Sequence, residues 1–188
     1  MSYLSKLPDD VRQLVISLPF RVGYFLSVSD QTGGDDADEA EQRALHNIVA
    51  FYVEDTVKSE FAHEVMIETL NQRARWDTWK DNIAAVPDEC ERVVYMMQKI
   101  IDDKEIAAYK SNLLDVAVAV AEAYCEAANV HDPLGKIKLA VQRVINQIAA
   151  ALSDDEQKRP EKSLINISQL EREAIALLAL RLDIKFTL

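Results

Sequence analysis

The chain has 188 residues, of which 32 are Asp or Glu and 21 are Lys or Arg, so its formal net charge is -11. This charge disfavours binding to nucleic acids and to anionic membranes, because both need clustered Lys and Arg. Hydrophobic residues make up 49% of the chain and charged residues 28%, which excludes a disordered acidic tail. The acidic excess instead favours binding to cations or to basic partners, or it serves solubility alone.

The chain carries no recognisable signal for secretion or membrane insertion. Residues 1–10 lack the basic and apolar pattern of a secretory signal. The most apolar stretches fall far short of the roughly 18 residues of a membrane span. Cys90 and Cys125 show neither a CxxC spacing nor a histidine at ligand spacing, so we expect reduced, buried thiols. Together these features predict a cytoplasmic protein.

The shortage of residues that break helices predicts an all-α fold. Only 4 Gly and 5 Pro occur, whereas Ala, Leu, Glu, Gln and Lys are frequent, and no convincing strand pattern appears. Asp9 or Asp10 is predicted to cap a short first helix. Pro19, in the turn that begins at Ser17, is predicted to end that helix and start a second one, which ends near Val28.

The middle of the chain shows helical periodicity between two loops. Residues 30–38 are predicted to form a loop that contains the only Gly-Gly pair. After it, apolar residues recur at spacings of three and four as far as Asp55, which predicts an amphipathic helix. A second amphipathic stretch runs from Phe61 towards Ala85. Pro87 fits the first turn of a further helix that extends to about residue 101.

The second half contains the most apolar helix of the chain. Residues 105–128 have no helix breaker and are apolar on all sides in their middle, which predicts a buried central helix. Residues 136–152 form another amphipathic pattern. Ser168 and Glu171 make a capping box for a final helix rich in Ala and Leu.

These elements predict one domain of about eight helices that spans residues 1–188. Its halves cover about 1–86 and 87–188, and the polar segment 153–166 is the best candidate for a mobile surface loop. Both halves contain a helix of small and aliphatic residues that is followed by an acidic helix start. A pseudo-repeat of helix, acidic loop and helix therefore remains one alternative, and coincidence is the other.

One segment concentrates acidic side chains. Between residues 30 and 41, six carboxylates occur in twelve residues without Lys or Arg. Such a segment could bind a hard divalent cation, namely Ca²⁺, Mg²⁺ or Mn²⁺, or its acids could cap a helix and remain solvated. An EF-hand is excluded, because Thr32 and Gly34 stand where that loop has acidic residues, and Asp35 stands where it has glycine. The candidate ligands are Asp30, Asp35, Asp36, Asp38, Glu39 and Glu41.

Two tryptophans lie in a small basic cluster. On a helix, Trp76 and Trp79 would share a face with Arg73 and Lys80, which could form a partner-binding site. Alternatively, both indoles pack on the core while the basic side chains cover them.

No catalytic constellation is recognisable. Cys125 lies between Glu122 and Glu126, which is the wrong electrostatic setting for a reactive thiolate. The three histidines belong to no known motif, and no glycine-rich phosphate loop occurs. An enzyme that acts on a small molecule is therefore the third hypothesis rather than the first.

Two segments resemble the tellurite-resistance TerB-like family. The run VGYFLSVSDQTGGDDADEAEQRALHNIV, at 22–49, is similar to the family's opening unit, and ISQLEREAIALLALRLDI, at 167–184, to its closing unit. The resemblance implies an all-helical, pseudo-repeated domain that takes part in bacterial stress responses or in larger assemblies. It also implies cation sites in acidic loops, and by position the family's acidic residues correspond to Asp30, Asp36, Asp38, Glu39 and Glu171.

The resulting first hypothesis is a non-catalytic, TerB-like cytoplasmic protein that binds a divalent cation through its acidic loop. The alternative is a protein–protein interaction module without a ligand. Neither hypothesis includes nucleic acid or a membrane as a partner, and both leave a homo-oligomer open.

Overall fold

A computed structural model describes residues 2–29, 45–52, 59–127 and 167–185, with only the backbone described for 123–127. All regular structure in these ranges is helical, which confirms the predicted all-α class. Short 3-10 turns occur at Leu4–Lys6, Arg73–Arg75 and Ile83–Ala85. The described α-helices are α1 (Asp9–Ser29), α2 (residues 45–52), α3 (Glu60–Asn71), α4 (Trp76–Trp79), α5 (Val86–Met97), α6 (Asp103–Ala127) and α7 (Gln169–Arg181).

Helix α6 forms the centre of the fold. It packs against α1, α3, α5 and α7, and its segment 116–121 is buried on all sides, as the sequence predicts. One continuous hydrophobic core contains side chains from all seven helices, so the described ranges form a single domain. Cys90 of α5 is fully buried in that core, and burial raises the pKa of its thiol.

The predicted break at Pro19 is wrong, because α1 continues through it as one helix from Asp9 to Ser29. Proline has no N–H to donate to the carbonyl four residues earlier, that of Val15. The hydroxyl of Tyr109 donates to this carbonyl instead, over 2.9 Å. The Thr69 hydroxyl donates to the neighbouring carbonyl of Ile16, over 2.6 Å. Side chains of α6 and α3 thus satisfy backbone groups near the proline.

Other helix boundaries depart from the sequence pattern by a few residues. The amphipathic stretch that begins at Phe61 ends at Asn71, and short turns follow it, with Asn82 in the left-handed region at φ 52°. Helix α5 ends at Met97 rather than near residue 101. None of the helices in the described ranges combines the length and the apolar character that crossing a bilayer requires. The predicted elements at 136–152 and 153–166 lie outside the described residues.

Candidate functional site

The predicted cation ligands fall into two groups. Glu171 lies in the described residues, is 3% exposed, and completes the predicted capping box of α7. Its Oε2 accepts from the Ser168 backbone N–H over 2.9 Å, while its own N–H donates to Ser168 Oγ. Within the part of the chain that the structure describes, no group of three or more Asp, Glu, His or Cys could hold a metal ion. The ligands outside the described residues are Asp30, Asp35, Asp36, Asp38, Glu39 and Glu41.

The two tryptophans lie in the core. Trp76 is 9% exposed and Trp79 is 7% exposed. The Trp76 ring stacks on Phe20 at 4.6 Å between centroids, and its Nε1 donates to the Thr69 carbonyl over 3.0 Å. The Arg75 guanidinium lies 5.9 Å from the centre of the Trp79 ring. This arrangement matches the core interpretation and leaves little of either indole for a partner.

A buried arginine joins α1 to α5 and to the segment before it. Arg21 is 7% exposed, and its Nη2 and Nε both donate to Glu89 Oε2, over 2.8 Å and 3.2 Å. Its Nη1 donates to the carbonyls of Trp79 and Asp81, over 2.6 Å and 2.9 Å. Sequence reasoning missed this joint, although a single arginine in the apolar run of α1 was a usable signal. Because these protein groups already engage the guanidinium, we interpret the joint as structural.

A second polar cluster lies on α6 opposite α2. Asn112, Asp115 and Glu122 are spaced by three and seven residues, which places them on one side of the helix. Tyr52 of α2 is 1% exposed, and burial, followed by the charges of Asp115 and Glu122, raises the pKa of its hydroxyl. Burial also raises the pKa of Asp115 to about 8. The Tyr52 hydroxyl, Asn112 Oδ1 and Asp115 Oδ1 are buried without hydrogen-bond partners.

A surface groove of about 500 Å³ lies between α5, α6 and the end of α7. The most exposed hydrophobic side chains beside it are Leu180, at 74%, and Tyr95, at 71%. Arg181 joins the two walls, since its Nη1 lies 2.7 Å from Glu91 Oε2 and its Nη2 lies 3.0 Å from Asp88 Oδ1. These ion pairs connect α7 to α5 at one side of the groove.

The end of α7 is built to turn sharply at the groove. The Ile184 N–H donates to the Ala179 carbonyl over 2.9 Å, and the Asp183 N–H donates to the Leu180 carbonyl over 3.1 Å. This pair of bonds is a Schellman motif, in which Asp183 takes the left-handed conformation at φ 50°. Lys110 of α6 donates to the Asp183 carbonyl over 3.2 Å, so α6 fixes the same turn.

The apolar side chains of α7 are divided between the core and the surface. Leu178 is fully buried, whereas Leu170 is 54% exposed and Leu177 is 38% exposed. The sequence contained a signal for these exposed leucines, because apolar residues occur on all sides of α7. A helix of that composition usually has both faces covered.

No family model matches the chain, and neither a curated protein nor a solved structure resembles it closely enough to match. The resemblance to the TerB-like family therefore stays a hypothesis.

Proposed function

We propose that this chain is a protein-binding module whose partner docks on α5 and α7. One observation carries the proposal: within the described residues, every large hydrophobic side chain that is exposed lies on these two helices. Isolated apolar side chains are common on protein surfaces, but Tyr95 and Leu180 line one groove, and exposed apolar side chains that lie together usually mark an interaction site. The α5–α7 surface, as we name it, comprises Tyr95, Leu170, Leu177 and Leu180.

The chemistry of the α5–α7 surface supports a protein as the ligand. Protein interfaces combine apolar and aromatic anchors with a polar rim, and tyrosine is among the residues that contribute most binding energy. Here Tyr95 and Leu180 supply the anchors, and the Arg181 ion pairs with Asp88 and Glu91 supply polar groups beside them. The groove next to them is open rather than enclosed, which favours a helix or an extended segment over a small molecule.

Site-specific photo-crosslinking in cells of the native organism tests this function. A photoreactive residue at position 180 should give crosslinked species of defined mass. The same residue at Asp10, an exposed position of α1, should give none. Leu180→Asp should abolish the crosslinks formed from position 177 while leaving stability within about 0.5 kcal/mol, because the side chain is 74% exposed. Equal crosslinking from positions 10 and 180 would contradict the proposal.

We also retain divalent-cation binding by residues 30–41 as a proposal. The observation that favours it is the crowding of six carboxylates in twelve residues without a compensating Lys or Arg. Calorimetric titration of chelator-treated protein with Ca²⁺, Mg²⁺ and Mn²⁺ should give saturable heat, which the double variant Asp36→Asn, Asp38→Asn should reduce. If millimolar ion produces neither heat nor a thermal shift, the segment is only a solvated acidic stretch.

A further inference from the structure

The exposed leucines of α7 lie on one stripe along the helix. Leu170, Glu173, Leu177 and Leu180 follow one another at spacings of three, four and three residues, and all four are exposed. This spacing keeps side chains on one side of a helix, and two helices use it when they pack along each other. The α7 stripe, as we name these four residues, runs along most of a helix of 13 residues, which is about 20 Å long. Its shape and spacing therefore fit another α-helix.

The charges around the α7 stripe balance, unlike those of the whole chain. The chain has a net charge of -11, so most of its surface repels a second copy. Helix α7 itself carries two Glu and two Arg. The side chains that line the adjacent groove include three acids and three bases, namely Asp88, Glu91, Asp183, Arg92, Lys110 and Arg181. A second copy can therefore approach this surface without a net electrostatic penalty.

The order of the charges along α7 makes the helix complementary to itself in the antiparallel direction. Glu173 lies in the first half of the helix and Arg181 at its end, while Arg172 and Asp183 have the opposite signs at similar places. In an antiparallel pair, Glu173 of one protomer approaches Arg181 of its partner, and Arg172 approaches Asp183. A parallel pair would bring each charge against its own equivalent, which is destabilising. The antiparallel pair also has the two-fold symmetry that most homodimers adopt.

We propose that the partner of the α5–α7 surface is a second copy of this chain, and that the two copies join through antiparallel α7 stripes. This inference rests on the proposed function, because it names the partner of that surface. Leu177 and Leu180 of both protomers meet near the two-fold axis, and Tyr95, which lines the groove with Leu180, extends the contact. One pair of short helices buries less area than a typical stable interface, so we expect a dissociation constant of about 1–100 µM.

Analytical ultracentrifugation of the full chain tests the proposal. The mass should rise from 21.2 kDa towards twice that value as the concentration increases from about 5 to 500 µM. Leu180→Asp should keep the chain monomeric, because dimer formation would bury the new carboxylate. The matched control is Ala74→Asp, which adds the same charge at an exposed position outside α5 and α7 and should dimerise like the wild type.

A charge reversal tests the predicted pairing of Glu173 with Arg181. Glu173→Arg should raise the dissociation constant of the dimer about tenfold or more, because each of two equivalent contacts then brings like charges together. The monomer should keep its stability, since Glu173 is exposed. An unchanged dissociation constant would refute this pairing.

Crosslinking tests the antiparallel arrangement. In a Cys125→Ser background, in which Cys90 is buried, a short bifunctional maleimide should join two Leu177→Cys chains to each other. It should not join two Leu170→Cys chains, because the two copies of residue 170 lie towards opposite ends of the pair, about 20 Å or more apart. Equal crosslinking at both positions would refute the antiparallel pair.

The outcomes separate this inference from the proposed function. A chain that stays monomeric over the whole concentration range, or a dimer that survives Leu180→Asp, overturns the inference. If such a chain still forms photo-crosslinks from position 180 in cells, to species of a mass other than twice its own, the α5–α7 surface binds a different protein and the proposed function stands. If neither dimer nor photo-crosslink forms, both are refuted.

Discussion

The hydroxyl of Tyr109 donates a 2.9 Å hydrogen bond to the backbone carbonyl of Val15, the group that Pro19 cannot engage. Both residues are fully buried, so water cannot replace the bond. A proline inside a helix usually costs about 3 kcal/mol or more, in part through the lost hydrogen bond. Because a side chain of α6 supplies the missing donor, α1 remains one helix and its two halves pack as a unit.

Removing this hydroxyl should destabilise the fold. We expect Tyr109→Phe to lower the free energy of unfolding by about 1–3 kcal/mol, because it leaves the Val15 carbonyl buried without a partner. In a Pro19→Ala background, the new backbone N–H can bond that carbonyl, so the same substitution should cost less. Urea denaturation of the four chains gives the coupling energy, which should be at least about 0.5 kcal/mol. Additive effects would contradict the compensation.

Pro19 also illustrates what the sequence could and could not predict. A proline in a helical pattern indicates a break by local rules, but the compensating donor, Tyr109, is 94 residues from Val15 in the chain and comes close to it only on folding. The central helix and the capping box of Ser168 and Glu171 depend on local patterns, and both were predicted. The α5–α7 surface was not, because an all-round apolar helix does not reveal that Leu178 is buried while Leu180 stays exposed.

Loss of the buried arginine should be among the most damaging single changes. Arg21→Leu should cost about 3–5 kcal/mol of unfolding free energy, because Glu89 and three backbone carbonyls lose their donor. Arg21→Lys should also destabilise, since one ammonium group cannot reproduce the planar fork of donors. Arg12→Leu is the matched control, because Arg12 pairs with the exposed Asp9 on the same helix and should cost less than about 1 kcal/mol. If chemical denaturation shows that Arg21→Leu and Arg12→Leu lower the free energy of unfolding by similar amounts, the structural role of Arg21 is refuted.

Asp115 should make stability fall as pH rises. Burial raises the pKa of its carboxyl from the ordinary 3.8 to about 8 in the folded chain, so between these values the folded state keeps a proton that the unfolded state has released. The free energy of unfolding therefore decreases across this window, by up to about 1.4 kcal/mol per pH unit. Asp115→Asn should remove this contribution and be more stable than the wild type near pH 8. Urea midpoints measured from pH 5 to 8 test this, and parallel curves for the two chains would rule it out.

Gly23 should tolerate a side chain only if Leu45 moves. Alanine relieves the helix penalty of glycine by about 1 kcal/mol, but its Cβ collides with Leu45, which is only 1% exposed. Overpacking of this kind costs about 1–3 kcal/mol, so we expect Gly23→Ala to destabilise by about 1 kcal/mol net. In a Leu45→Val background, which shortens the obstructing side chain, Gly23→Ala should lower the stability by less. Thermal denaturation measures this difference. An unchanged cost would show that Leu45 is not the obstacle.

Because Cys90 is completely buried, its chemical modification can report how often α5 opens. The thiolate is the reactive form of cysteine, and burial raises the pKa of this thiol, so a thiol reagent can act only after α5 separates from α1. In a Cys125→Ser chain, the modification rate would therefore count the opening events of α5. A partner bound to the α5–α7 surface should lower the modification rate of Cys90, so its binding can be measured without a label on the surface itself.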